Sequence, residues 1–367
     1  MNITNKPLLC SLGLALSCTL SSVQAEEKTL KLYNWADYFA EDTLAKFTAE
    51  TGIKVIYDVM DGSETLEAKM MAGGSGYDLI FPGDTVGERL MRAGSLQPLD
   101  KSKLTALNDI EPGLQKLRTH YVYSNKATVP YTWGTIGLTY NAEQIKQRMP
   151  DAPVNSLDML FKPELAAKFA DCGISMIDSP DEVLAVALNY LGRDPRSAKP
   201  ADLAAASELL LKLRPSIRKF QSQPVSELVN GNLCLSLGYS GDMTQAQRAA
   251  DAAGKKATFQ YHVPREGTTV WMDTMAIPVD AKHPEYAYAF INFVMRPENM
   301  AAISNFTGYP TSNAKARPSV DSVMRNNPDI YLDEAAYARL IPGQDIPQSN
   351  MRARMRAWTK FKTASTK

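Results

Sequence analysis

Histidine and cysteine are scarce in this chain, and neither sign of charge is in excess. The three histidines (His120, His262 and His283) have no Cys or His at metal-ligand spacing, so no metal site is expected. Forty basic side chains balance 40 acidic ones, which removes the electrostatic case for nucleic acid or a membrane surface as partner. No G-x-S-x-G elbow, H-E-x-x-H pair, phosphate-cradling G-x-x-x-x-G-K or post-strand G-x-G-x-x-G is present. These absences weigh against an enzyme without excluding one, and no cofactor is expected.

The one markedly apolar stretch lies at the start. Lys6 is the only charge in residues 1–25, residues 8–20 are apolar, and the segment ends on small residues at Ala25. This pattern predicts a secretory signal peptide cleaved after Ala25, because a membrane span would need about 20 consecutive apolar residues. Removing it takes away Cys10 and Cys18 and leaves Cys172 and Cys234 alone. In an oxidising compartment such a pair suggests one disulfide, with two buried free thiols as the alternative.

Beyond the leader, strand and helix signals alternate. Residues 29–35 (TLKLYNW), 53–57 (IKVIY) and 77–81 (YDLIF) read as strands, with helices over 41–50, 63–71 and 85–92. That alternation predicts an α/β fold with a mostly parallel sheet, whose ligands lie past the carboxyl ends of the strands. Residues 128–141 and 269–278 look like strands that carry the chain between lobes, while 153–190 and 201–213 read as largely helical. At this length two lobes are expected. Residues 26–133 with 265–310 form the first, and 134–264 with 311–367 the second.

Several acids stand beside aromatics. Asp273 interrupts an otherwise buried-looking strand, VWMDTMAI, where a charge needs a partner. An ion pair within the protein would satisfy it as well as a ligand would. Asp242 follows Tyr239 at a strand end, where it could equally cap the next helix. Asp181 lies inside a Ser179–Glu182 capping box and Asp84 just ahead of a Thr85–Glu88 one, so local pattern favours capping for both. Asp37 stands between Trp35 and Tyr38 at a strand's carboxyl end. Aromatic faces attract alkylammonium groups and carboxylates accept their N–H bonds, although the same set also suits sugars.

These residues carry a family resemblance. The chain resembles the periplasmic putrescine/spermidine-binding proteins of ABC uptake systems, most like their putrescine-binding branch. The likeness rests on LYNWADY at 32–38, TGIKVIYDV at 51–59, YDLIFP at 77–82, VPYTWGTIGLTYN at 129–141, DSPDEV at 178–183, LLLKLRPSIRKF at 209–220 and RAWTKFK at 356–362. It implies a two-lobed type II periplasmic binding fold, each lobe a mainly parallel sheet flanked by helices, with the ligand cleft between lobes. It also implies an aromatic box of Trp35, Tyr38, Tyr239, Trp271 and Tyr309. Carboxylates would come from Asp37, Asp181, Asp242 and Asp273, with polar contacts from Thr85 and Ser222. A Cys172–Cys234 disulfide, a periplasmic location, a monomer and delivery of a polyamine to an ABC permease follow from the same likeness. This sequence departs from the branch at Tyr239, Trp271, Asp181, Asp84 and Gln344. Asp84 and Gln344 are therefore candidate specificity positions, with agmatine, cadaverine or spermidine as alternative ligands. The competing readings are a sugar receptor on the same fold and an exported hydrolase with paired carboxylates.

Overall fold

The computed structural model describes Met1 and residues 27–365. The expected leader and its cleavage point after Ala25 lie outside the described residues.

Ten strands are present among the described residues: β1 (Thr29–Asn34), β2 (Lys54–Val59), β3 (Leu79–Ile80), β4 (Thr128–Asn141), β5 (Ile174–Met176), β6 (Ile217–Phe220), β7 (Leu235–Tyr239), β8 (Phe259–His262), β9 (Thr268–Ala276) and β10 (Leu340–Pro342). The order β2-β1-β3-β9-β4-β7-β5-β6 runs through two sheet regions joined by β4. Strands β1, β2 and β3 pair in parallel, as do β5, β6 and β7. β4 is the seam. Its first half, Thr128 to Thr135, pairs antiparallel with β9, and its second half, from Ile136, pairs with β7 and β8. All 14 residues of β4 are buried, which is why its sequence is β-branched and aromatic along its whole length instead of alternating.

Two main hydrophobic clusters flank this seam. The first gathers Leu30, Leu32, Phe47, Phe81, Tyr131, Met275 and Phe290, and the second Ile136, Leu138, Phe161, Ile174, Val183, Leu235 and Phe361. Val320, Met324, Ile330 and Leu340 join the first cluster, and only the end of the C-terminal helix Gln348–Thr363, at Trp358 and Phe361, joins the second.

Local expectations fail in two ways. The stretch 153–190 is not continuous helix, because β5 lies inside it as three wholly buried residues too short to show a period. β6, four residues in the run LRPSIRKF, is likewise too short to show a period. Neither capping box forms either. The helix Asp84–Arg92 starts one residue early on Gly83, and Glu88 instead accepts from the Tyr123 and Ser124 amides at 2.9 and 2.6 Å. Ser179 precedes the helix Pro180–Tyr190 without a side-chain cap bond.

Cys172 and Cys234 are joined, with their Cα atoms 5.5 Å apart. They precede β5 and β7, so the bond staples the starts of two adjacent parallel strands. Closing a loop of 62 residues restricts the unfolded chain by about 4 kcal/mol on the chain-entropy account. A Cys172→Ala/Cys234→Ala variant should therefore unfold at distinctly lower urea concentration. Alkylation of the unreduced native protein should label neither sulfur, and two labelled thiols would contradict the bridge.

Candidate functional site

The carboxyl ends of β1, β3 and β7 point toward the β4–β9 seam, and the residues that follow them meet there. After β1, Tyr38 donates its hydroxyl proton to Asp273 Oδ2 at 2.6 Å and accepts from Thr132 Oγ1 at 3.2 Å. Tyr131 in turn donates to the Tyr38 carbonyl. From Tyr38 a chain of rings crosses the seam. Tyr38 lies 6.3 Å from Tyr309, Tyr309 lies 4.7 Å from Trp271, and Trp271 lies 5.8 Å from Tyr239. The last two contacts are edge-to-face, an arrangement that leaves ring faces free. Two glycines allow the rings to sit this close to the backbone. A Cβ on Gly134 would fall 2.5 Å from Trp271 Cζ2, and one on Gly241 would fall 2.6 Å from the Tyr309 ring. The indole N–H groups of Trp35 and Trp271 are buried without a hydrogen-bond partner.

Carboxylates close both ends of this ring chain. At one end stands Asp273 on β9. Burial pushes its carboxyl up to about 7, opposed by the Tyr38 hydrogen bond and supported by the nearby Asp84 charge. At the other end Asp242, in the first turn of the helix Gly241–Ala252, is 4% exposed with Oδ2 unpartnered. Its burial raises the carboxyl to about 8, against the Tyr239 backbone contact. Asp84, also buried with one oxygen unpartnered, is raised by burial to about 6, with Arg118 pulling the other way. Among the described residues none of these three acids forms a salt bridge. Buried carboxylates without a cation are costly to ionise, so burial favours the protonated form of all three.

The predicted acids do not all arrive. Asp181 is held by Arg354, whose Nε lies 3.3 Å from Asp181 Oδ1 and whose Nη2 donates to the Asp181 carbonyl at 3.1 Å. Arg354 is completely buried, so Asp181 serves as its counter-charge. The next residue, Glu182, faces the site instead. Its Oε2 is buried and unpartnered, and burial raises its carboxyl while Thr269 lowers it. Its charge also bears on Tyr239 and Tyr121. The sequence reading missed Glu182, although it lies within the same DSPDEV run and was set aside as half of a capping box.

Asp37 is exposed, with φ at 53°, the one non-glycine positive value among the described residues. Aspartate tolerates this left-handed conformation better than most residues. Thr85 is half-buried in the first turn of Asp84–Arg92. Ser222, just after β6, is exposed, and Gln344, just after β10, is half-buried.

Known proteins of the same build have been described. Residues 42–330 match the family of bacterial extracellular solute-binding proteins. The chain is 45% identical over 357 residues to the putrescine-binding periplasmic protein SpuD of Pseudomonas aeruginosa, covering 97% of each. It is 43% identical to the putrescine-binding periplasmic protein PotF of Escherichia coli, covering 99% of this chain and 100% of that one. Among solved structures, the spermidine/putrescine ABC transporter substrate-binding protein PotD of Streptococcus pneumoniae superposes with a TM-score of 0.79 at 29% identity, covering 91% of this chain and 98% of that one.

Proposed function

The chain belongs to the bacterial extracellular solute-binding proteins, and from that premise we propose that it is a periplasmic receptor that captures a small polyamine and presents it to an ABC permease. The observation that carries this reading is the pairing of a ring chain with unpaired carboxylates at both ends. Asp273 stands at one end, and Asp242 with Glu182 at the other. Ring faces cover methylenes and attract ammonium groups, while each carboxylate accepts N–H bonds from a terminal amine. A ligand cationic at both ends and apolar between them fits this pattern. A neutral sugar would leave the acids without counter-charge.

On this reading the protein works as a carrier, not a catalyst. Its two lobes, divided by the β4–β9 seam, close over the ligand by bending there. Trp35, Tyr38, Tyr239, Trp271 and Tyr309 form the box. Asp242, Asp273 and Glu182 hold the amines, and Thr85 borders the cleft. Putrescine is the first candidate, because it is what the two bacterial relatives above are named for.

A thermal-shift panel of putrescine, cadaverine, agmatine, spermidine, glutamate and maltose tests the assignment. A ligand that binds only the folded state raises the melting temperature by mass action. The amines alone should do so. A shift with maltose or glutamate and none with any amine would overturn the assignment.

A further inference from the structure

Asp84 does not face the ring chain, yet it is connected to it. It directly follows Gly83, whose backbone bridges to Asp273. A Cβ on Gly83 would lie 3.7 Å from Asp273 Oδ1. Behind Asp84 runs a buried line of polar groups. Ser124 Oγ donates to Asp84 Oδ1 at 3.1 Å and lies 3.1 Å from Thr128 Oγ1. Arg118 Nη2 donates to Thr128 Oγ1 at 2.8 Å and to the Thr128 carbonyl at 2.9 Å. Asp84 and Arg118 are 2% and 5% exposed. Arg118 Nε and Asp84 Oδ2 are both buried without partners. The two opposite charges are thus linked only through two hydroxyls, without direct contact, from the helix Pro112–Arg118 to the cleft wall. Such an arrangement is a poor choice for stability alone.

We propose that Asp84 is a positioning residue that acts through Asp273. Its buried charge, linked to Arg118 through Thr128 and Ser124, sets how firmly Asp273 keeps a proton before a ligand binds, so that arrival of a cation expels that proton to solvent. The relay makes this end of the site selective for full positive charge over neutral hydrogen-bond donors. It rests on the assignment of Asp273 as a ligand carboxylate. The charged and titratable groups facing Asp84 are Arg118, Glu88, Tyr121 and Asp273. Those facing Asp273 are Tyr38, Asp84, Tyr131, Tyr239 and Tyr309. Arg118 is the only cation among them.

The sign follows from the charges. Asp84 disfavours ionised Asp273, so Asp84→Asn should let Asp273 ionise at lower pH. Arg118 favours ionised Asp84, so Arg118→Gln should leave a proton on Asp84 and likewise let Asp273 ionise at lower pH. Putrescine affinity is measured by calorimetry from pH 5 to 8, in buffers of different ionisation enthalpy so that proton release is counted. In the wild type, binding near neutrality should release protons. Asp84→Asn should move the affinity-versus-pH curve down by about one pH unit and reduce the release. Arg118→Gln should move the curve the same way, because Asp84 then takes up a proton and loses the charge that acts on Asp273, and Ser124→Ala should do so if Arg118→Gln does not fold. A purely structural role would lower affinity at every pH without displacing the curve. If the wild type binds putrescine and Asp84→Asn leaves curve and release unmoved, the relay is refuted while the receptor assignment stands. If the wild type binds no amine, the receptor assignment fails and the relay falls with it.

Discussion

Replacing Asp273 by asparagine is expected to weaken putrescine binding by about 30-fold to several-thousand-fold. Asparagine keeps the shape and can still accept from the Tyr38 hydroxyl, which lies 2.6 Å from Oδ2. What it loses is the charge. Truncating one partner of a desolvated, hydrogen-bonded charge pair costs about 2–5 kcal/mol, and each 1.4 kcal/mol is tenfold in affinity. Asp242→Asn should have an effect of the same size, because Asp242 is 4% exposed and has no other cation to answer to. Calorimetry on folded protein measures both. Wild-type affinity in Asp273→Asn would make that carboxylate a structural group and leave the site with one occupied end.

The neighbouring pair Asp181 and Glu182 should separate cleanly. Glu182→Gln is expected to weaken putrescine binding at least about tenfold, the low end of the loss of a buried charge contact. Asp181→Asn should change affinity much less and stability more. Its partner Arg354 is wholly buried, and an uncompensated buried charge destabilises by about 3–5 kcal/mol. Discounting for the partly exposed Asp181 side chain, 41% accessible, the stability loss should fall below that range. Titration with putrescine and urea unfolding on the same two variants give both numbers. If Asp181→Asn loses the ligand and Glu182→Gln keeps it, the assignment drawn from the Arg354 contact is wrong.

Much of this protein was legible in its residues. Strand–helix alternation over the first 90 residues predicted the parallel arrangement of β1, β2 and β3. The buried character of residues 128–141 marked the strand shared by both lobes, because a strand covered on both faces loses its alternation. Asp273 stood out because a lone acid in an apolar strand needs a partner, and the structure gives it a tyrosine hydroxyl and no cation.

Local sequence determined the elements, the two cysteines able to pair, and the acids and rings from which a cation site could be built. The fold alone decided which acids remained free to bind a ligand. The Ser179–Glu182 and Thr85–Glu88 boxes were sound by spacing, yet both glutamates turned to other tasks. Asp181 was lost to Arg354, 173 residues further along the chain. Capping depends on neighbours three residues apart, whereas neutralising a buried charge depends on whichever opposite charge packing brings into reach. Only the packed chain could show that Arg354 binds Asp181 directly and leaves Glu182 Oε2, one residue on, buried without a hydrogen-bond partner.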